Sequence, residues 1–369
     1  MSTLLVLLLL AQAAGPLAEG NKALDAKDYP RALEQFTKAA AEDRTDFFAE
    51  FQIALTYNLM GQDADAVTHY KAALAINADL PEAQLNAGLS LLRLGDSAGA
   101  IPYLEASAAK KSTYISEIAL GRALAATARL PEAETRYRKA AALDPARQEE
   151  ILELADRYEQ AGKTAEAMKL YREFPNHPGA QARLGVLLGT EGKTGDSIAT
   201  LEAAVARAPT DANLIALAQA YLKGNQVAKA SVVAGRAAAA QPLDAELRLF
   251  HGRLLRDQRK FGEAIQQFSA ATRIKPDSVE AWNELAAALA ATEQFPQTLE
   301  ALDRLRALGA DTPGNLFYRA LSHDHLAQRP EAIQAYKQFL AASQGKFPDQ
   351  EFQARQRVRI LELELTKKR

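Results

Sequence analysis

Proton or metal chemistry in this 369-residue sequence would fall first to its five histidines, His69, His177, His251, His323 and His325. Only Ser322-His323-Asp324-His325 gathers two of them. One helix holds a metal ion with ligands at i and i+4 on a single face, as in an HExxH pair. Residues two apart point about 200° apart on a helix, so His323 and His325 do not share an ion. The expectation is that one packs against a neighbouring helix and the other faces the open side. Gly192-Lys193-Thr194 looks like part of a phosphate loop but lacks the glycine-rich cradle and the preceding strand, so it reads as a turn between helices. There is no cysteine, which removes thiol nucleophiles, thiolate zinc sites and disulfides. No acid/base pair stands out among the carboxylates, so no catalytic, cofactor or metal residue is nominated and the protein is expected not to be an enzyme.

The charge balance removes further classes. Lys and Arg number 44 against 46 Asp and Glu, a formal net charge of −2. No global attraction to nucleic acid or to anionic lipid follows. At the N-terminus, Leu4 to Leu10 is an unbroken apolar run, followed by Ala11-Gln12-Ala13, a small-x-small pattern that suits signal peptidase. The run is too short to span a bilayer, which takes about 20 apolar residues. Residues 1–14 are therefore expected to be a cleaved signal peptide, and the protein periplasmic or secreted. Only the terminal amine supplies positive charge there, which keeps an uncleaved anchor open. Any membrane contact is expected through this segment or through a partner.

What would position side chains in this chain is a repeat. The phrase Phe261 to Ala286 has Ala264, Phe268, Ala271 and Pro276, with the single tryptophan, Trp282, six residues on. Ala66/Tyr70/Ala73, Ala133/Tyr137/Ala140/Pro145 and Ala332/Tyr336/Phe339 repeat the register. The step is about 34 residues, in about ten copies. Apolar residues within each segment fall at i, i+3, i+4 and i+7, which specifies amphipathic helices. Glycines (Gly88, Gly121, Gly185, Gly252) recur in the first helix of each unit, where the second must cross closely. Ala100, Ala133 and Ala264 are expected to return a small residue to that contact, with Tyr137, Tyr171 and Phe268 beside them. Pro145, Pro209, Pro242 and Pro276 are expected to close second helices.

This pattern resembles the tetratricopeptide repeat, of secreted or periplasmic bacterial type, over nearly the whole chain after residue 14. The resemblance implies an all-α fold, an α-α superhelix of antiparallel helix pairs in which neighbours cover each other's apolar faces. The expected organisation is a first repeat over 15–46, an N-terminal array over 47–177, a C-terminal array over 178–345 and a capping helix over 346–369. Phe174-Pro175-Asn176-His177-Pro178 cuts a second helix short, and a bend or hinge is expected there. In the cap, Phe352, Val358, Ile360, Leu361 and Leu363 fit one more amphipathic helix with a polar outer face; its arginines are alternatively a docking patch.

The resemblance also implies a concave groove lined by first helices. By register it would present Phe51, Asn58, Asn86, Arg93, Arg122, Arg183, Arg253, Arg256, Phe317 and Tyr318 to a partner, with Arg93 and Arg122 as anion contacts. Asn86 and Arg183 stand at positions like those of a carboxylate clamp but lie in repeats too far apart to share a ligand. The function expected is a non-catalytic scaffold for protein partners in a cell-envelope complex, with no cofactor and no nucleic acid. An accessory role in envelope polysaccharide synthesis or export is the alternative, and an enzyme with an unrecognised site is a third that no constellation supports.

Overall fold

The computed structural model describes residues 15–367, so the signal-peptide expectation for 1–14 lies outside the described residues. The chain divides into two compact units, at Phe174 and Pro175, inside the proline-rich break. Unit 1 contains α1 (Pro16–Asp25), α2 (Tyr29–Glu42), α3 (Phe47–Leu59), α4 (Asp63–Ile76), α5 (Pro81–Arg93), α6 (Ser97–Lys110), α7 (Tyr114–Ala126), α8 (Leu130–Leu143), α9 (Ile151–Gln160) and α10 (Thr164–Arg172). A short 3₁₀ turn, Pro145–Glu150, leads into α9. Unit 2 contains α11 (Pro178–Thr190), α12 (Thr194–Arg207), α13 (Asp211–Lys223), α14 (Val227–Ala240), α15 (Ala245–Asp257), α16 (Phe261–Ile274), α17 (Val279–Ala291), α18 (Phe295–Ala307), α19 (Pro313–His325), α20 (Arg329–Ser343) and the longer α21 (Pro348–Lys367). No strand occurs among the described residues. The helices form five antiparallel hairpins per unit, and each second helix packs against the next first helix of its unit.

The glycines of the first helices explain how closely five of the ten described hairpins close; Ala54, Ala155, Ala218, Ala286 and Ala320 hold the position in the others. A Cβ on Gly88 would lie 2.5 Å from Leu104 Cγ, and one on Gly252 2.5 Å from Phe268 Cε1. Gly20 meets Phe36 and Gly185 meets Leu201 in the same way, always sixteen residues on. The structure thus corrects one detail of the sequence reading. The large side chain of the second helix, not an alanine, sits directly on the glycine. Ala100, Ala133 and Ala264 are fully buried beside that contact.

The turn inside every hairpin needs one residue in the left-handed region. Gly61, Gly95, Gly162 and Gly192 fill it without strain, whereas Lys27, Ala128, Asn225, Arg259, Glu293 and Ala327 fill it with a side chain. Second helices end just before Pro145, Pro209, Pro242 and Pro276, as expected. Many first helices start on a polar cap. Asp46, Thr113, Thr210, Asp244, Ser278 and Thr312 each accept a backbone N–H of the first turn. His177 does the same for α11, its Nδ1 accepting from the Ala180 N–H at 3.0 Å.

Candidate partner-binding face

In a helical hairpin stack, one face of each first helix is left over after packing. On α3 it carries residues 48, 51, 55, 58 and 59; on α5, residues 82, 85, 89, 92 and 93; on α7 the same register runs through 115, 118, 122, 125 and 126, of which Ile118 and Ala125 are buried. The spacing i, i+3, i+7, i+10, i+11 keeps each set within one stripe. Most of these side chains in unit 1 are apolar. Phe48 is 42% exposed, Leu59 52% and Ile115 52%. Phe51, Leu55, Leu85, Leu89 and Leu92 are half-buried between them. Isolated exposed apolar residues need no explanation, but a stripe carried over three successive helices marks an interaction surface.

The polar members of the same stripe are engaged between repeats. Asn58 Nδ2 donates to Ser90 Oγ and to Asp63 Oδ1, both at 2.8 Å, while its Oδ1 accepts from the Tyr70 hydroxyl at 2.9 Å. Asn86 is half-buried beside Tyr70. Arg93 clasps Asp63, with Nη2 donating to Oδ1 at 2.6 Å and Nε to Oδ2 at 2.9 Å. These bonds from Arg93 hold the Asp63 carboxyl below the usual carboxylate range. Arg122 reaches from α7 to α9, donating from Nε and Nη2 to Glu153 at 2.9 and 2.7 Å and from Nη2 to Glu150 at 3.0 Å. Burial pulls Glu153 upward, but the bonds from Arg122 outweigh it and leave its pKa lowered. An open cleft of about 520 Å³ lies here, lined by Leu92, Arg122, Tyr137, Glu153, Asp156 and Arg157. Phe51 meets the Tyr70 ring edge-on at 5.7 Å.

Unit 2 has a different first-helix face. Arg253 Nε donates to Glu284 at 2.7 Å and its Nη2 to Glu280, while Arg256 joins Glu284 from the other side. Arg183, in α11, is exposed. Phe317 is drawn into the last hairpin, its ring 5.1 Å from Phe339 and 6.3 Å from Tyr336. Tyr318 packs against the core shared by α15 to α18. The structure therefore brings together Phe51, Asn58, Asn86 and Arg93 in unit 1, and Arg253 with Arg256 in unit 2. Sequence reasoning named the arginines of these faces but passed over Phe48, Leu59, Leu85, Leu89, Leu92 and Ile115. Aligning the stripe spacing across consecutive hairpins was the signal that would have found them.

The histidines stand apart from one another. His69 Nδ1 lies 2.7 Å from Glu50 Oε2, and its ring stacks on Tyr57. His323 Nδ1 meets Gln328 Oε1 at 2.6 Å, and His325 stacks on Phe295 with centroids 4.3 Å apart. Among the described residues, no three His, Asp or Glu side chains converge as metal ligands would.

Repeated antiparallel helix pairs, closed on glycine and capped by a further helix, define an all-α repeat array. The sequence profile of the TPR repeat matches residues 54–95 and 252–292, one stretch in each unit. The chain thus carries tetratricopeptide repeats in both units. Solved structures with similarity include the Cut9 and Hcn1 hetero-tetramer of the APC/C, at 13% identity over 98% of this chain and 99% of that one, TM-score 0.41. A tetratricopeptide repeat protein from Parabacteroides merdae ATCC 43184 aligns at 12% identity over 74% and 97%, TM-score 0.34. YrrB, described as a TPR protein with an unusual peptide-binding site, aligns at 16% identity over 68% and 98%, TM-score 0.31.

Proposed function

We propose that the protein is a non-catalytic scaffold that receives a segment of a partner protein on the first-helix face of unit 1. The family's general role as a protein-interaction platform supports this, and the apolar stripe through Phe48, Leu59 and Ile115 carries it. A partner segment with apolar residues at helical spacing would bury that stripe, with the Arg93–Asp63 and Arg122–Glu153 pairs as its polar rim. The arginines act as rim groups here, because an anion would have to displace carboxylates already held by bidentate bonds. We place the complex in the cell envelope of a bacterium, on the strength of the apolar run and Ala11-Gln12-Ala13 at the N-terminus. The polysaccharide reading has less support, because Phe51 and Phe317 spend their rings on neighbouring aromatics.

Crosslinking in the native host, with identification of captured proteins, tests the proposal. Leu59→Asp with Ile115→Asp should reduce capture of the principal partner about tenfold or more, as expected for exposed apolar anchors of the stripe. Arg253→Ala with Arg256→Ala should leave it unchanged. Undiminished capture by the unit 1 variant would overturn the assignment.

A further inference from the structure

Within unit 2 each hairpin meets the next along a seam, and the first-helix residue just before the hairpin's closing small residue stands at it. His251 meets Gly235 of α14 there. At the seam ahead of α17 the residue is Leu285, buried in one core with Ala264, Phe268 and Leu302. Arg253 and Arg256 of α15 brace that seam through Glu280 and Glu284 of α17. Thirty-four residues on, at the seam between α18 and α19, the position holds Arg319. Its side chain is almost wholly buried, while that of its partner, Asp303 of α18, is 65% exposed. Nε and Nη2, the edge that takes a carboxylate side-on, have no hydrogen-bond partner among the described residues. A buried charge left two donors short weakens the seam that holds it, whereas a well-packed apolar residue would strengthen it.

The core divides at the same place. The buried residues of one cluster run from Ala245 to Leu305 and those of the next from Leu316 to Leu361, with none in common. Tyr318 packs across the seam and His325 stacks on Phe295. Among the described residues, Arg319 to Asp303 is the one side-chain hydrogen bond that joins α17 or α18 to the helices beyond. Those last three helices are tied firmly to one another. Arg357 of α21 donates to both Asp324 oxygens at 2.7 Å, and the Tyr336 hydroxyl donates to the same carboxylate at 3.2 Å. Lys337 reaches Glu362 at 2.7 Å and Arg329 reaches Glu364 at 2.8 Å. Ala354 and Leu361 of α21 lie in the core of the last hairpin, while Phe352 and Leu363 are exposed on an outer side that the sequence reading expected to be polar. Proteins open locally in contiguous units, along their least stable boundaries. We propose that α19–α21 form a terminal module that opens from unit 2 as one piece, and that the half-partnered Arg319 sets how often it does so.

Native-state amide hydrogen exchange of the full chain tests this. The slowest amides of α19, α20 and α21 should share one protection factor, about tenfold or more below that of the slowest amides of α16 and α17. Arg319→Leu, which puts at the last seam the residue found at Leu285, should raise the shared value about tenfold or more. Asp303→Ala, which removes the single partner of the buried guanidinium, should lower it by a similar factor. Asp303 faces solvent, so that variant should keep the helical circular-dichroism spectrum and the exchange of α12 to α14. Ordinary fraying of a chain end would give protection that falls step by step toward α21, and such a gradient overturns the proposal. So does protection in α19–α21 equal to that of α16 and α17, or failure of either variant to shift the shared value in the stated direction.

Discussion

Units 1 and 2 repeat the same hairpin but assign polarity differently. In unit 1 the first-helix face is apolar and its charges are tied off as a rim. In unit 2 that face carries the Arg253, Arg256, Glu280 and Glu284 network. Where Ile53, Leu120 and Leu154 stand in unit 1, the same helix position in unit 2 holds His251 and Arg319 as well as Leu184, Leu217 and Leu285. Arg319 is 5% exposed; its Nη1 donates to Asp303 at 2.5 Å, while Nε and Nη2 have no hydrogen-bond partner among the described residues. Left-handed turn positions differ as well. Three of the five in unit 1 are glycine (Gly61, Gly95, Gly162), against one of five in unit 2 (Gly192). One packing scheme thus tolerates opposite surface chemistries, because the small residues of the first helices and the buried side chains laid on them recur in both units.

If the units share one closing device, damage to it should cost the same in both. Phe36→Ala in unit 1 and Phe268→Ala in unit 2, both 0% exposed, should each destabilise by about 3–5 kcal/mol. Denaturant unfolding of the two variants checks this, and clearly unequal losses would break the equivalence.

Acid should separate the units by a smaller effect. Burial pushes the His251 imidazole below its ordinary 6.5, with Arg248 and Lys260 adding to the depression and Glu263 opposing it. The unfolded chain therefore takes up that proton first. Stability is full above pH about 6.5 and declines as pH falls from there toward the folded value. Asp63 is depressed by Arg93, so its contribution is full above the ordinary carboxyl value of 3.8 and disappears only as pH falls below it. Protection factors from amide hydrogen exchange should decline first in α15 and α16 and only at lower pH around α4 and α5. His251→Leu should remove the first decline and Asp63→Asn should weaken the second. Unchanged profiles in both variants would remove the link between these side chains and the pH windows.

The smallest effect concerns the turns. Glu293→Gly in unit 2 and Ala128→Gly in unit 1 relieve left-handed strain of about 1–2 kcal/mol each. Greater freedom of glycine in the unfolded chain offsets part of this, leaving a gain of about 0.5 kcal/mol. Gly95→Ala should have the opposite sign. Thermal melts of the three variants would show whether the glycine-poor turns of unit 2 store recoverable strain.

Much of the fold was legible because the repeat is written in residues with narrow steric meaning. Gly88 and Gly252 announce a close approach, Pro145 and Pro276 announce helix ends, and Tyr70 and Phe268 announce filled cores. The candidate site was less legible. Arg93 and Arg122 looked available because their carboxylate partners lie 30 and 31 residues away, on neighbouring helices. The leucines of the unit 1 stripe looked like core for the same reason. A leucine at helical spacing has the same sequence signature whether its face meets a neighbour or water.

By itself the sequence determined the hairpin, its period, its closing contacts and its near-neutral charge, since each follows from side-chain volume, backbone preference or a count. Only the tertiary structure decided which charges are neutralised, which apolar faces remain open, and that the last helix turns Phe352 and Leu363 outward. Those outcomes depend on which helix lies beside which at a separation of about one repeat, and a linear pattern carries no term for what stands across the gap.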